Sequence, residues 1–498
     1  MMKNKKFKSV ISLCLALILL FETEGTIKAL ADKLPYDSYN YDYREYIHYT
    51  PAAYIPERTV TGLDLSYQGE PIGKFTNPQD LCKSPSGNIY IADTGNNRIV
   101  VLDQTMKQVV KIISAFDNGG KEDKFNSPYG VCVSERGWLY VADFKNKRIV
   151  VLDENDVLMQ IIENPQSESL EDGYVFSPMK VTVDYADRAY VIAQNMFEGI
   201  MVFENNGNFS NFFGTIQVEI SVWDKFWKRM ATKEERSNQM LYIPTEFTGI
   251  DIDPEGFVYA SNIDPKGVQG VRRLNPQGED VIKKGENENL GGDLAFTTST
   301  YNQYAGPSQF TDVVYRSKGI YSCLDRRRGR IFTYDHEGNL LYVFGGLGTQ
   351  AGTFQLPVAV EDIGGRIVVL DATKAAILCF QETEYGRLIN EAVGLRYDGD
   401  EAEAVEIWGR VLELDENNEL ANTGIGKAYL TAGDYELAMH YLELGMARDY
   451  YSIAYKRYRN EILTANASWV LTGGLVLIAA WVVIKKVKKK KRGAVERG

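Results

Sequence analysis

The chain has 498 residues, of which 44% are hydrophobic and 24% are charged, and its formal net charge is −12 at pH 7. Between the basic ends, residues 32–484 hold 42 Lys and Arg against 64 Asp and Glu, a net charge of −22. This charge disfavours a nucleic-acid-binding role, because such proteins present a basic surface to the phosphate backbone.

The first 31 residues have the pattern of a secretory signal peptide. Four lysines precede an apolar run from Val10 to Phe21, and Ala29-Leu30-Ala31 offers a small-x-small cleavage site. This pattern predicts a signal peptide over residues 1–31, with an uncleaved anchor as the alternative. Residues 32–62 are rich in tyrosine and too aromatic for a disordered linker, so we expect them to pack along the next domain.

A repeat with a period of fifty residues follows. Asn-Asn-Arg-Ile-Val-Val-Leu-Asp begins at Asn96, and Asn-Lys-Arg-Ile-Val-Val-Leu-Asp begins fifty residues later at Asn146. Each copy contains short β-branched and aromatic runs separated by Gly, Asn and Asp, which is typical of strands joined by hairpins. About four such strands fit in one copy, and this is the content of one β-propeller blade.

Four weaker copies follow the two clear ones, so the sequence predicts six blades. These copies are marked by Phe176, Gly249, Phe310 and Leu356. An open ring would expose a sheet edge, so we expect the ring to close. Because the last copy ends after its third strand near Phe380, the segment from Leu63 to Lys74 is expected to supply the missing strand.

The motif from Gly87 to Ile99, Gly-Asn-Ile-Tyr-Ile-Ala-Asp-Thr-Gly-Asn-Asn-Arg-Ile, resembles the repeats of NHL-repeat propeller proteins. The resemblance extends over about residues 50–380 and implies an all-β, six-bladed propeller, which we place at residues 63–381. Some NHL relatives are His-dependent amidating lyases. The three histidines of this chain fall in an N-terminal segment, a hairpin and a helix, so no zinc site and no other cofactor is predicted.

Function in a propeller is expected where the inner strands begin, because the loops there converge on the central channel. The repeat register gives one equivalent channel position in each copy: Asp80, Gly130, Lys180, Gly249, Asp312 and Ala359. The predicted ligand-binding residues at the channel mouth are Gln79, Asp80, Tyr129, Lys180, Glu246 and Asp312. Such carboxylates, amides and a lysine could bind a cation or a polyol such as a sugar, and the alternative is an ordinary water-filled channel.

A metal-dependent lactonase is the enzymatic alternative. Six-bladed lactonases similar to gluconolactonase use carboxylate and amide ligands, which Asp80, Asp312, Glu246 and Asn262 could mimic, but the spacing of these residues shows no motif of that family. Gly-rich phosphate loops and nucleophile elbows are absent from the sequence. The sequence favours a binding protein, with an accessory subunit of an envelope transport complex as a further alternative.

Two sets of recurring residues are assigned to structure. The first set consists of Asp–Arg pairs at one spacing: Asp93 with Arg98, Asp143 with Arg148, and Asp325 with Arg330. The second set consists of the cysteines after the signal peptide: Cys82, Cys132, Cys323 and Cys379. A pair repeated in several blades is expected to clamp a turn or join two blades, and the scattered cysteines are expected to be buried free thiols.

Two insertions interrupt the repeat. In the first, around Val222–Met240, Trp223, Phe226 and Trp227 fall on one helical face, which would bind a partner or the nearby membrane surface if it does not dock on the propeller itself. Docking on the flank of the propeller is the simpler interpretation of this face, and the partner-binding assignment of these three residues is the alternative. The second insertion, Gly285–Gln309, is long enough to cover the channel mouth.

The sequence changes to a helical period after Phe380. Small and large residues recur at a spacing of 34 residues: Ala392, Gly399, Ala404 and Trp408, then Gly426, Gly433, Ala438 and Leu442. This spacing resembles that of tetratricopeptide repeats, which we predict over residues 382–466, with a capping helix at Tyr451–Leu463. The helices are expected to form a stiff stalk or a peptide-binding groove that includes Tyr429.

Residues 467–484 contain no charge and are long enough to span a membrane. Seven Lys and Arg follow between Lys485 and Arg492, so the tail at 485–498 is expected in the cytoplasm and the propeller outside. The sequence predicts a single-pass protein of a bacterial, Gram-positive cell membrane that binds a protein partner or an envelope glycan.

Overall fold

The structure is a computed structural model that describes residues 34–165, 170, 173–215, 246–264, 270–284, 292–293 and 306–495. The chain folds as two compact units, residues 1–387 and 388–498. The first unit contains a six-bladed β-propeller, and helices form the second.

Five short or edge strands precede the first blade. They are β1 (Tyr39–Tyr41), β2 (Ile47–Tyr49), β3 (Tyr54–Thr61), β4 (Ser66–Tyr67) and β5 (Glu70–Pro71). Side chains of β3 alternate in exposure, as expected for a strand with one covered face. Strands β4 and β5 pair only with each other, whereas β1 to β3 join blades that lie much later in the sequence.

Blades 1 to 3 each contain four antiparallel strands in sequence order. Blade 1 consists of β6 (Asp80–Lys83), β7 (Ile89–Asp93), β8 (Arg98–Leu102) and β9 (Val109–Ile113). A small hairpin follows, made of β10 (Ala115–Asp117) and β11 (Glu122–Lys124). Blade 2 consists of β12 (Pro128–Val133), β13 (Leu139–Asp143), β14 (Arg148–Leu152) and β15 (Leu158–Ile162). Blade 3 consists of β16 (Pro178–Val183), β17 (Ala189–Ala193), β18 (Ile200–Phe203) and β19 (Phe209–Phe213).

Blades 4 to 6 depart from this simple order. The described part of blade 4 consists of β20 (Phe247–Ile252), β21 (Val258–Asn262) and β22 (Val271–Leu274). Blade 5 consists of β23 (Phe310–Ser317), β24 (Ile320–Asp325), β25 (Arg330–Tyr334) and β26 (Leu340–Phe344), and β1 and β2 extend its outer edge. Blade 6 consists of β27 (Pro357–Ile363), β28 (Arg366–Asp371) and β29 (Ala376–Glu382), with β3 as its fourth strand.

The N-terminal segment closes the ring. Strand β3 pairs antiparallel with β29 over its whole length, and the innermost strand of blade 6 contacts that of blade 1. Closure of the ring by the N-terminal side is thus confirmed. The prediction that Leu63–Lys74 supplies the closing strand was wrong, because β3 supplies it. That segment turns back on itself before blade 1, and a Cβ on Gly62 would lie 2.2 Å from the carbonyl oxygen of Gly73.

The propeller core lies between neighbouring blades. All five residues of β7, β13 and β17 are buried, because each of these middle strands packs on both faces. Continuous burial explains why these strands are apolar without alternation, apart from the buried aspartates Asp93 and Asp143 that end β7 and β13. The outer strand β9 is half-exposed, as expected at the rim of a blade.

The Tyr-rich segment is fixed to blade 5 by hydrogen bonds. The hydroxyls of Tyr39 and Tyr41 each donate to Asp293 Oδ1 at 2.6 Å, and Arg330 Nη1 lies 3.2 Å from Asp293 Oδ2. Arg330 also donates to the Tyr39 hydroxyl. Together with the β1–β26 pairing, these contacts confirm that this segment packs along the propeller.

Two of the three predicted Asp–Arg pairs form. Arg98 Nε lies 2.7 Å from Asp93 Oδ2, and Arg148 Nε lies 2.9 Å from Asp143 Oδ2. The pairing of Asp325 with Arg330 was wrong, because the buried carboxylate of Asp293 binds this arginine instead. The four cysteines are all free, as predicted, with Cys323 and Cys379 buried and Cys82 and Cys132 half-buried.

Five helices follow in sequence. They are α1 (Glu384–Asp398), α2 (Glu401–Leu414), α3 (Glu419–Ala432), α4 (Tyr435–Leu444) and α5 (Arg448–Val495). The Asn418 side chain caps α3 by accepting from Ala421 N, and Asp434 caps α4 by accepting from Leu437 N. Helices α2 to α5 contact one another in chain order. Their assignment as tetratricopeptide repeats stays a prediction, and the expected capping helix continues without a break through the apolar segment.

Candidate functional site: the central channel

A recurring bulge positions the residues that face the channel. In blades 3 to 6, the pairing of the inner strand with the next strand shifts register between its first residue and the channel position, and in blade 2 the shift includes the channel position, between Pro128 and Val131. A β-bulge bends the strand and redirects a side chain. The repeated bulge therefore turns the channel position of these five blades toward the same central space.

Three charged side chains meet in this space. Lys180 Nζ of blade 3 lies 2.5 Å from Asp80 Oδ1 of blade 1 and 3.4 Å from Asp312 Oδ1 of blade 5. All three side chains are buried. We call them the channel triad (Asp80, Lys180 and Asp312). The triad joins alternate blades around the ring, so its contacts cross the whole channel.

The blades between them contribute small residues. Blades 2, 4 and 6 have Gly130, Gly249 and Ala359 at the channel position. A Cβ on Gly130 would lie 2.5 Å from the Met179 carbonyl oxygen, and one on Gly249 would lie 2.5 Å from Asp312 Cα. Both distances are too short for an unchanged backbone, so glycine is required where the inner strands approach each other closely.

Both oxygens of each triad carboxylate accept hydrogen bonds or pair with Lys180. Val131 N donates to Asp80 Oδ2 at 3.0 Å, and Val360 N donates to Asp312 Oδ2 at 3.0 Å. Each carboxylate therefore bonds Lys180 through one oxygen and the backbone of the next blade through the other. The ammonium of Lys180 stands where a bound cation would have to stand, and a ligand that used these carboxylates would have to displace it.

A second level of side chains lies two residues further along the inner strands. Its members are Cys82, Cys132, Thr182, Asp251, Val314 and Glu361. Tyr315 N donates to Asp251 Oδ2 at 2.7 Å, and Lys83 Nζ lies 3.4 Å from Glu361 Oε1. The sequence interpretation missed Asp251 and Glu361. The period of two along a strand would have found them, because alternate residues share a face.

Burial controls the protonation of the channel carboxyls. It raises the pKa of Asp312 to about 7, and the nearby positive charge of Lys180 opposes this only in part. Burial also raises the pKa of Glu361 to about 7 and that of Asp251 to about 6. For Lys180, burial disfavours the charge, but Asp312 and Asp80 outweigh it and raise its pKa. The channel therefore contains a charged lysine and carboxyls that bind protons near neutral pH.

The other predicted mouth residues make contacts outside the triad. Burial raises the pKa of Tyr129, whose ring centroid lies 5.6 Å from that of Phe144. Gln79 is buried and donates to Asn77 Oδ1 at 2.8 Å. Glu246 is one of the carboxylates that act on Tyr174, and within the described residues no hydrogen bond or ion pair joins it to the triad.

The predicted partner-binding residues are described only in part. Trp223, Phe226 and Trp227 lie in residues 216–245, outside the described part of the chain. Tyr429 is partly buried on α3 and stacks on Tyr441, with ring centroids 5.7 Å apart and an interplanar angle of 17°. Of the second insertion, the described residues are 292–293 and 306–309.

The arrangement gives little support to the lactonase alternative. Among the described residues, no three His, Cys, Asp or Glu side chains are arranged to hold a metal ion. Asn262, at the end of β21, is buried, and Glu246 is not joined to the channel carboxylates within the described ranges. Turnover through Asp80 and Asp312 would first require the loss of their bonds to Lys180.

Comparison with known proteins identifies the repeat. Residues 75–102 and 125–152 match the family model of the NHL repeat. No curated protein sequence matches the chain. The structure of virginiamycin B lyase from Staphylococcus aureus is similar, with 11% identity, coverage of 62% of this chain and 97% of that chain, and a TM-score of 0.38.

Two other solved structures have similar values. For hydrazine synthase of Kuenenia stuttgartiensis the identity is 12%, the coverage 64% of this chain and 99% of that chain, and the TM-score 0.40. For a protein of unknown function from Bacteroides thetaiotaomicron the identity is 13%, the coverage is 65% of this chain and 75% of that chain, and the TM-score is 0.41. Similarity at this level carries no argument about function. The matched repeats coincide with blades 1 and 2, so the chain carries NHL repeats within a six-bladed β-propeller.

Proposed function

We propose that this chain is a membrane-anchored, extracytoplasmic binding or scaffolding protein. Its propeller face and helical repeats would contact a protein partner or an envelope glycan. The channel triad carries this proposal, because its charges are used to bond one blade to another. Because the charged groups of the channel triad already bond to one another and to the backbone, we expect a partner to bind the outer surfaces of the propeller and of the helices.

The anchor is proposed from the exposure of α5. No residue in the apolar window of this helix is buried, and Trp469 and Leu477 are 79% and 72% exposed. A continuous apolar surface of this length requires a cover, and an apolar helix of about 20 residues matches the hydrocarbon thickness of a bilayer. Lys485 Nζ lies 4.8 Å from the centroid of the Trp481 ring, a pairing of cation and aromatic ring that is typical of a membrane interface.

The proposed orientation of the chain in the membrane rests on the basic residues that follow the apolar segment 467–484. The basic tail from Lys485 onward would stay in the cytoplasm, because clustered Lys and Arg next to a span are retained there. The propeller would then lie outside, which agrees with the signal-peptide pattern of residues 1–31.

Cross-linking in intact cells tests the binding role. The full-length protein, Trp227→Ala and Tyr429→Ala would be cross-linked, purified under denaturing conditions and compared by mass spectrometry. Tyr185→Ala is the matched control, because this tyrosine is 75% exposed on the β16–β17 turn. We expect one cross-linked partner to be lost in the first two variants and kept in the control. Identical products from all four proteins would contradict the assignment. Cation-dependent lactone hydrolysis abolished by Asp80→Asn would instead establish the hydrolase.

A further inference from the structure

An open groove lies between the start of α4 and the middle of α5. Its volume is about 690 Å³, and its lining includes Tyr435, Arg457, Asn460, Glu461 and Thr464. The four residues from α5 are spaced by three, four and seven positions, so they form one stripe along the helix. All four are polar, and both signs of charge are present in the groove.

Packing holds this stripe against α4. Ala454, one turn before Arg457, is fully buried and packs with Leu442 and Ala438 of α4. Lys427 Nζ of α3 lies 4.1 Å from the centroid of the Tyr450 ring at the start of α5. These contacts fix the rotation of α5 relative to α3 and α4, and this rotation places the stripe in the groove.

The groove lies just before the apolar segment. Helix α5 is continuous from Arg448 to Val495, so the distance between them is fixed by the helical rise. At about 1.5 Å per residue, Thr464 is about 5 Å and Arg457 about 15 Å from Ala467, where the uncharged segment begins. The headgroup layer extends about 5–8 Å beyond the hydrocarbon. The end of the groove at Thr464 therefore opens in the headgroup layer. Arg457 lies further from the hydrocarbon, and its long side chain can extend toward the headgroup layer.

The groove itself holds one cation and one anion, Arg457 and Glu461, and the exposed residues around it are basic. Lys456, Arg457 and Arg459 are exposed, and none of them forms an ion pair with a described residue. Only Arg457 among these three lines the groove. Asn460 and Thr464 add hydrogen-bonding groups below it, and Glu461 can accept hydrogen bonds from hydroxyl or amine groups.

We propose that this groove binds the phosphate-bearing headgroup of a membrane phospholipid. The phosphate would lie between Arg457 and the residues nearer the hydrocarbon, Asn460 and Thr464, and Glu461 would accept a hydrogen bond from a hydroxyl group at the outer end of the headgroup. This inference rests on the proposed anchoring of α5 in a membrane. It adds a specific lipid contact, which would hold the helical unit close to the bilayer surface.

Native mass spectrometry of the full-length protein in detergent tests the proposal. The protein would be titrated with phosphatidylglycerol, with diacylglycerol, which lacks the phosphate, and with soluble glycerol phosphate. We expect one phosphatidylglycerol per chain, little retention of diacylglycerol, and binding at least about tenfold weaker in Arg457→Gln, the loss expected for one charge-assisted contact. Arg459→Gln, the matched control, removes the same charge outside the groove and should bind like the wild type.

Three outcomes would overturn the groove. If phosphatidylglycerol binding weakens equally in Arg457→Gln and Arg459→Gln, the basic segment attracts the lipid without a specific site. If glycerol phosphate binds as tightly as phosphatidylglycerol, the site is one for free phosphate. If diacylglycerol is retained as well as phosphatidylglycerol, the phosphate is not recognised. Alkaline extraction of cell membranes separates this failure from failure of the anchor. A chain that stays in the extracted membrane but shows no lipid preference contradicts the groove alone, whereas a chain released by alkali contradicts the anchoring itself.

Discussion

Lys180 Nζ lies 2.5 Å from Asp80 Oδ1, and this contact joins blade 3 to blade 1 across the channel. Both side chains are buried, so neither charge is stabilised by bulk water. A buried charge that loses its partner is far more costly than a broken surface pair. The contact is therefore expected to hold the ring together at its centre.

Removal of the lysine charge should destabilise the propeller. Lys180→Met leaves Asp80 and Asp312 buried without a counter-charge, so we expect a loss of about 3–5 kcal/mol in the free energy of unfolding. Denaturant unfolding of the full-length protein in detergent, followed by circular dichroism, measures this loss. Lys107→Met is the control, because Lys107 is exposed and its substitution should change stability by less than about 0.5 kcal/mol. Equal stability of the two variants would show that the triad contributes nothing.

Gly249→Ala should be destabilising, although alanine is usually well tolerated. Its Cβ would lie 2.5 Å from Asp312 Cα and 2.8 Å from Ser261 Oγ, and the expected loss is about 1–3 kcal/mol. Gly409→Ala is the matched control. Gly409 lies in α2 with nothing within 4 Å of its added Cβ, so alanine there should be neutral or stabilising by up to about 1 kcal/mol. Thermal unfolding compares the two, and a stable Gly249→Ala would mean that the inner strands can separate.

The buried carboxyls predict a specific pH dependence. Burial raises the pKa of Glu361 to about 7 in the folded state, well above the ordinary value of a glutamate. The folded state therefore binds a proton that the unfolded state releases, and this stabilisation is present below the unfolded pKa and lost as pH rises through about 7. Glu361→Gln stays neutral, so its stability relative to the wild type should rise from about pH 5 to about pH 8.

The melting temperature of both proteins across this range gives the measurement. Asp123→Asn is the control, because the pKa shift of Asp123 is opposite in direction to that of Glu361. Hydrogen bonds from Arg148 lower the pKa of Asp123 to about 2. Its contribution is lost only in acid, so the control should show no trend between about pH 5 and about pH 8. A constant difference between wild type and Glu361→Gln would mean that Glu361 is already ionised throughout the range.

Part of this structure follows from the sequence through the repeat. The register of the copies at Asn96 and Asn146 predicted the blades and led to Asp80, Lys180 and Asp312 as channel residues. Strand β3 was missed, and its sequence gives a weak signal because Pro56 is unfavourable in a central strand. At the edge of blade 6 the proline is tolerated, where the pairing with β29 shifts register between Cys379 and Phe380.

Contacts made by insertions could not be predicted in this way. Arg330 bonds Asp293, which stands in an insertion without an equivalent in the other blades, so the repeat contains no signal for this pair. Asp251 and Glu361 were missed for a different reason, since only one channel position per blade was considered. Their approach to the channel depends on the side-chain alternation along each inner strand.

The cysteines should react slowly with thiol reagents in the folded protein. Burial raises the pKa of Cys132 to about 12 and that of Cys379 to about 11, and it also raises the pKa of Cys82 and Cys323. Little thiolate is then present near pH 8. Iodoacetamide labelling followed by mass spectrometry should modify these four residues only after denaturation. Rapid modification of the native protein at Cys323 would contradict its burial.

Labelling of intact cells tests the central claim most directly, namely that an extracytoplasmic propeller is held by one membrane span. Cysteine would be introduced at Tyr185, on an exposed turn of blade 3, or at Val487, after the apolar segment. A membrane-impermeant maleimide should label Tyr185→Cys in intact cells and Val487→Cys only after lysis, above the background of the parent chain. Labelling of Val487→Cys in intact cells, with Tyr185→Cys protected until lysis, would contradict the account.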